Sequence, residues 1–227
     1  MDTKVASKVL VTGASRGIGL AMVQQLRAEQ RQVIAVGRGT SVALAATGAQ
    51  VLHGFDLALH SARADLVAQL QGERFDCLLM NAGLLKPDQV SELAQCADAV
   101  QQQFMINALA PILLAAALAP QMVDGGKICF ITSRMGSISD NSSGGYYGYR
   151  MSKAALNAGG KSLAVDLRAR GISVGLLHPG YVRTAMTGNQ GHTSPEESAR
   201  GLLARVHGLS LANSGSFWHM DGSPLSW

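Results

Sequence analysis

The sequence predicts an α/β fold, a single doubly wound parallel sheet of about seven strands with helices on both faces. Three observations carry this expectation. Short aliphatic runs alternate with helix-period segments along the whole chain, and a glycine-rich turn joins the first run to the first helix. The composition is apolar and lightly charged, with 47% hydrophobic residues, 15% charged residues and 26 glycines, as fits strands whose two faces are both covered. At 227 residues the chain suffices for one such domain, 1–227, and no linker-like stretch divides it.

Val9, Leu10 and Val11 read as the first strand, residues 17–29 as the first helix and residues 32–36 as the second strand, a compact βαβ opening. Val51, Leu52 and His53 give a short third strand, residues 62–70 a helix, and residues 75–80 a fourth strand that stops at Asn81-Ala82-Gly83. Residues 89–118 hold one or two helices. The uncharged run 108–122 within and after them contains Pro111 and Pro120 and falls short of the roughly 18 to 20 apolar residues of a membrane span, so it reads as a helix buried on the sheet or between subunits. Residues 127–132 form the fifth strand. A Ser/Gly-rich loop, 137–145, precedes a long helix over 147–168, and residues 172–177 form a sixth strand closed by His178-Pro179-Gly180. Residues 188–193 read as a mobile loop, Ser194-Pro195-Glu196-Glu197 as the capped start of another helix, and residues 215–220 as the last strand. Strict alternation implies right-handed crossovers, a Rossmann-type sheet and ligands at the C-terminal strand ends.

The bulk numbers exclude several classes. Lys+Arg 19 against Asp+Glu 15 leaves a formal charge of +4, and no basic cluster interleaved with aromatics is present, which argues against nucleic-acid binding. Cys77, Cys96 and Cys129 show no CxxC spacing, and two of them fall in strand-like runs, so no metal site is expected and a reducing, cytoplasmic setting fits. The first strand begins too early for a charged region and apolar core of a signal peptide, and no membrane association is expected.

Two motifs carry the chemistry. In Thr12-Gly13-Ala14-Ser15-Arg16-Gly17-Ile18-Gly19 the glycines are spaced GxxxGxG at a strand-to-helix junction, where free backbone N–H groups can receive a dinucleotide pyrophosphate. At the end of the second strand, Val36-Gly37-Arg38 offers a cation where an acid would bind an adenosine 2′-hydroxyl, and Arg16 adds a second. Guanidinium groups suit a 2′-phosphate, so NADP(H) is expected over NAD(H). The second motif is Tyr149 and Lys153, four residues apart and therefore on one helical face, where an ammonium can stabilise a phenolate. Tyr146 and Tyr147 have Arg150 and Met151 at the same spacing, which leaves Tyr149 as the lysine-paired phenol.

These motifs resemble those of the short-chain dehydrogenase/reductase family, with similarity running from about Lys8 onward and a C-factor and Sniffer-like flavour in the loop 139–147 and the ending Asp221-Gly222-Ser223-Pro224-Leu225-Ser226-Trp227. The resemblance implies that Ser133, Tyr149, Lys153 and Asn107 form a catalytic tetrad. It further implies cofactor contacts at Gly13, Ser15, Arg16, Gly17, Ile18, Gly19 and Arg38, at Asp56 and Leu57 for adenine, and at Asn81, Ala82 and Gly83. Pro179, Gly180, Val182 and Thr184 correspond to the segment that holds the nicotinamide carboxamide, and Tyr149 and Lys153 also touch the cofactor. Two departures mark this chain: Met80-Asn81 replaces a doubled asparagine, and the loop between Ser133 and Tyr149 is longer than usual.

On this reading Tyr149 donates a proton to a carbonyl oxygen as hydride arrives, Ser133 hydrogen-bonds the same oxygen, and Asn107 holds a water that links Lys153 to solvent. The expected partner is a small-molecule carbonyl or alcohol, with Met135, Tyr146, Tyr147, Tyr181 and Met186 near the pocket mouth, and the expected assembly is a homodimer or homotetramer through residues 108–122 and 154–167. Two other functions use the same residues: a dinucleotide-binding signalling or redox-sensor protein without significant turnover, and an epimerase or dehydratase with a retained cofactor.

Overall fold

The structure, a computed structural model, describes residues 7–227; residues 1–6, over which the single-domain and N-terminal expectations also extend, lie outside the described residues. Seven parallel strands stand side by side: β1 (Lys8–Thr12), β2 (Gln32–Val36), β3 (Gln50–Leu52), β4 (Phe75–Met80), β5 (Met122–Ile131), β6 (Ser173–His178) and β7 (Ser216–His219). Their order is β3-β2-β1-β4-β5-β6-β7, so the winding direction reverses between β1 and β4, the place where doubly wound sheets open a ligand crevice.

The strands are apolar at consecutive positions because alternate side chains enter two separate cores. Leu10, Ile34, Leu78, Ile128, Phe130 and Leu176 pack on one face with residues of α3 (His60–Gln69), α5 (Ala110–Leu118) and α6 (Tyr147–Asp166). Val11, Ala35, Leu79, Cys129 and Leu177 pack on the other with α1 (Gly17–Ala28), α2 (Val42–Ala45) and α7 (Pro195–Gly208). The remaining helix, α4 (Ala97–Phe104), lies against α6.

Several boundaries differ from the sequence reading, each for a local reason. The short α2 has no helical period long enough to read; Ser41 makes it possible by accepting the Leu44 N–H at 3.1 Å. Helix formation in 89–118 begins only at Ala97, after an irregular stretch and a 3₁₀ turn, and a π-helical turn, Met105–Leu109, joins α4 to α5. The resulting helical stretch, Ala97–Gln121, is long and apolar enough to cross a bilayer, contrary to the expected shortfall, yet half of its most apolar window is buried inside the fold. β5 starts at Met122, paired with Phe75, rather than at Lys127, because the stretch with Gly125 and Gly126 forms an irregularity within the strand. The segment 188–193 is tied down rather than loose: Arg183 N–H donates to Thr193 O at 2.9 Å and His192 N–H to Tyr181 O at 2.9 Å. The expected N-cap opens α7 and is completed into a capping box, with Ser194 and Glu197 bonding each other's backbone N–H.

Candidate active site

The glycine turn connects β1 to α1 in the conformation its residues allow. Gly13 and Gly17 have φ of 66° and 55°, and a Cβ on Gly19 would lie 2.2 Å from the Gly13 carbonyl oxygen, so the chain folds over itself only because that atom is missing. α1 begins with neither a side-chain cap nor an acid in its first turn. A helix start left open in this way, beside glycines, fits the pyrophosphate of a dinucleotide.

Thr12 braces the turn from below, since its hydroxyl accepts the backbone N–H of Asn81 at 3.0 Å and of Ala82 at 3.1 Å. Asn81 returns the tie, donating through Nδ2 to the carbonyls of Thr12 at 3.0 Å and Gly13 at 3.2 Å. The Asn81-Ala82-Gly83 end of β4 is thereby locked to the glycine turn. The segment 179–184 approaches from the far side, where a Cβ on Gly17 would come 3.3 Å from Thr184 Cγ2. Arg16 and Arg38 are exposed, and among the described residues neither makes an ion pair or a side-chain hydrogen bond. Backbone bonds from Gly54 to Arg38 at 3.1 Å and from Phe55 to Gly37 at 3.2 Å bring the Asp56-Leu57 turn beside Arg38.

Ser133 lies two residues beyond the end of β5, and Tyr149 and Lys153 sit in the first turns of α6, all three buried. The Ser133 hydroxyl accepts the Met135 N–H at 3.2 Å and lies beside the Tyr149 phenol. Lys153 Nζ donates to the Ile131 carbonyl at 2.8 Å and stands 5.7 Å from the centre of the Tyr149 ring. The spacing of four thus places both groups on one helical face, as the sequence implies.

The expected acidification of Tyr149 by Lys153 is not what the protein's own groups produce. Burial pushes the phenol up to about 12, with the Ser133 hydroxyl pulling the other way, and the same burial lowers Lys153 to about 8. Removing water disfavours both charged forms, and the lysine's main partner is a backbone carbonyl. The Asn107 side chain is also committed elsewhere: its Oδ1 accepts the Leu84 N–H at 2.7 Å, while Nδ2 donates to Leu84 O at 2.7 Å and to Ser152 Oγ at 3.0 Å. Both amide protons and one of the two Oδ1 lone pairs are thereby engaged, and the amide acts as a clamp inside the π-helical turn.

Thr12, Asp88, Gln103, Ser152 and His178 belong to the site's framework; Asp88, Gln103 and Ser152 escaped the sequence reading, and Thr12 and His178 were read only as part of the glycine motif and of the close of the sixth strand. His178, at the end of β6, is pushed down to about 3 by burial, with His219, Arg134 and Lys153 adding to the effect, and is neutral. Thr12 had a sequence signal, since it heads the glycine motif; Asp88 had none, because its partner lies about sixty residues away. Of the aromatic and thioether residues assigned to the pocket mouth, Tyr146, Tyr181 and Met186 are exposed.

A family model described as short chain dehydrogenase matches residues 7–195. The 1-hydroxy-2-glutathionyl-2-methyl-3-butene dehydrogenase of Rhodococcus sp. (strain AD45) is 38% identical over 227 residues, covering 97% of this chain and all of that protein. Among solved structures, the carbonyl reductase Sniffer of D. melanogaster superposes with a TM-score of 0.89 at 30% identity, over 98% of this chain and all of that one. A carbonyl reductase from Pseudomonas aeruginosa PAO1 in complex with NADP gives 0.82 at 36% identity, over 98% and 100% of the two chains.

Proposed function

The chain belongs to the short-chain dehydrogenase family, and from that premise we propose that it is an NADP(H)-dependent oxidoreductase interconverting a ketone or aldehyde with an alcohol. The observation that carries this reading is the buried pair of Tyr149 and Ser133 hydroxyls, with the Lys153 ammonium 5.7 Å from the phenol ring, at the C-terminal ends of the strands. The NADP of the Pseudomonas relative supports the choice of cofactor. In this chain, Gly13 and residues 15–19 would hold the pyrophosphate, Arg16 and Arg38 the 2′-phosphate, and Asp56 and Leu57 the adenine. Asn81, Ala82 and Gly83, with Pro179, Gly180, Val182 and Thr184, would flank the nicotinamide end.

The bound nicotinamide supplies or accepts the hydride; the chain's own groups manage the proton. Tyr149, held neutral by burial, donates its O–H proton to the carbonyl oxygen as negative charge develops there, and Ser133 hydrogen-bonds the same oxygen. The phenolate so formed lies in the field of Lys153, whose burial-lowered value of about 8 makes it ready to pass a proton onward. Exposed Tyr146, Tyr181 and Met186 suit a hydrophobic or aromatic carbonyl compound. Phe104, Leu109, Leu113, Met151 and Val165, apolar yet exposed on α4, α6 and the π-helix–α5 stretch, support assembly as a homodimer or homotetramer.

The test pairs a panel of carbonyl compounds with NADPH consumption in the parent protein and in Tyr149→Phe. The variant should keep its NADPH affinity within about twofold and lose turnover by roughly a hundredfold or more. Turnover retained by Tyr149→Phe refutes the assignment.

A further inference from the structure

We propose that Asp88 is a positioning residue that sets the catalytic helix, and with it the Tyr149 phenol; the proposal rests on the reading of Tyr149 as the proton donor. Every helix start leaves backbone N–H groups without partners inside the helix. The start of α6 is ill equipped to satisfy its own. Its N-cap, Tyr146, sits in the left-handed region at φ 54° and makes no side-chain cap, and the first turn carries no acid. Asp88 supplies the missing acceptors from 59 residues upstream: one carboxylate oxygen accepts the Tyr147 N–H and the other the Gly148 N–H at 3.0 Å, while its own carbonyl accepts the Tyr146 N–H at 3.0 Å. Tyr149 is the next residue.

The carboxylate is 3% exposed and, among the described residues, has no ion-pair partner, so the helix N–H groups and the positive helix end are what compensate its burial. Gly148 permits the approach, because a Cβ there would lie 2.5 Å from Gln103 Nε2 and 3.2 Å from Asp88 Oδ2. Asp88 is itself held in place from two directions. Residues 84–88 follow directly on Asn81-Ala82-Gly83, and they are fastened at Leu84 by Asn107, at Lys86 by Gln103 Oε1 (2.9 Å) and at Asp88 by α6. One short strap therefore joins the proposed nicotinamide flank to the first turn of the helix bearing the phenol. Its clamps are side chains of α4 and the π-helical turn.

Asp88→Ala, Asp88→Asn and Tyr149→Phe should be compared with the parent for NADPH affinity, kcat and KM on one carbonyl substrate, and hydrogen exchange of the Tyr147 and Gly148 amides. In Asp88→Ala, kcat is expected to fall about tenfold or more, with NADPH affinity changed by less than about twofold and faster exchange at both amides. Asp88→Asn, which keeps one acceptor oxygen, should recover part of both losses, and it carries the test if the alanine variant does not fold. A kcat within about twofold of the parent in the folded variants overturns the proposal, and so does a loss of cofactor affinity as large as the loss of kcat. Full turnover in Tyr149→Phe would instead overturn the assignment of the proton donor, whatever the exchange data show.

Discussion

Replacing Lys153 with Met should stabilise the protein at neutral pH while removing its turnover. Lys153 is 4% exposed, and burial lowers it from 10.5 to about 8. For a base lowered in the folded state, stability is intact above the unfolded value and declines as pH falls, because the unfolded chain gains a proton that the folded chain resists. The loss accumulates between pH 10.5 and about 8 and is complete below that window. The drop corresponds to about 3 kcal/mol. Met is unbranched and can follow the lysine's path, but it forfeits the 2.8 Å bond to the Ile131 carbonyl, a loss of about 1 kcal/mol. A net gain of about 2 kcal/mol at pH 7 remains, and it should shrink steadily as pH rises toward 10. The Tyr149 phenol, raised to about 12, works in the opposite sense: its contribution is intact below pH 10 and is lost as pH rises toward 12 in both proteins, so it cancels in the difference. Urea unfolding of parent and variant at pH 7, 8, 9 and 10, without cofactor, measures the quantity. A variant less stable than the parent at pH 7, or a difference that does not change with pH, refutes the reasoning.

Arg38→Asp should weaken NADPH binding by about tenfold or more while leaving NADH nearly untouched, because a phosphate loses its cation and gains a like charge; equal affinities of the parent for both cofactors would contradict the role. Thr12→Val removes the acceptor for the Asn81 and Ala82 N–H groups and should cost about 2 to 4 kcal/mol in urea unfolding, a larger loss than an exposed threonine could give. Gly19→Ala places a carbon 2.2 Å from the Gly13 carbonyl oxygen, so it should abolish cofactor binding even where the protein still folds, as read by NADPH fluorescence.

Much of the site was legible because its signals are local. The GxxxGxG turn needs only a few neighbouring residues to close, and the Tyr149 and Lys153 pair needs only the helical period, so spacing along the chain fixes both. The strands were legible for a related reason, since runs apolar at every position mark a sheet covered on both faces. What stayed hidden depends on residues that meet only after folding. The side chain of Asn107 reads as a water holder from its motif, and its further part as a clamp on the Leu84 backbone stayed hidden, because Leu84 and Ser152 converge on it from separate elements.

The sequence alone determined the sheet, its winding, the glycine turn and the helical face that carries Tyr149 and Lys153, since each follows from periodicity or from a missing side chain. Tertiary structure decided the protonation balance of that face and the anchoring of its first turn. Burial raises Tyr149 and lowers Lys153 through the removal of water by distant segments, and Asp88 caps α6 across 59 residues, a distance over which no local pattern can report.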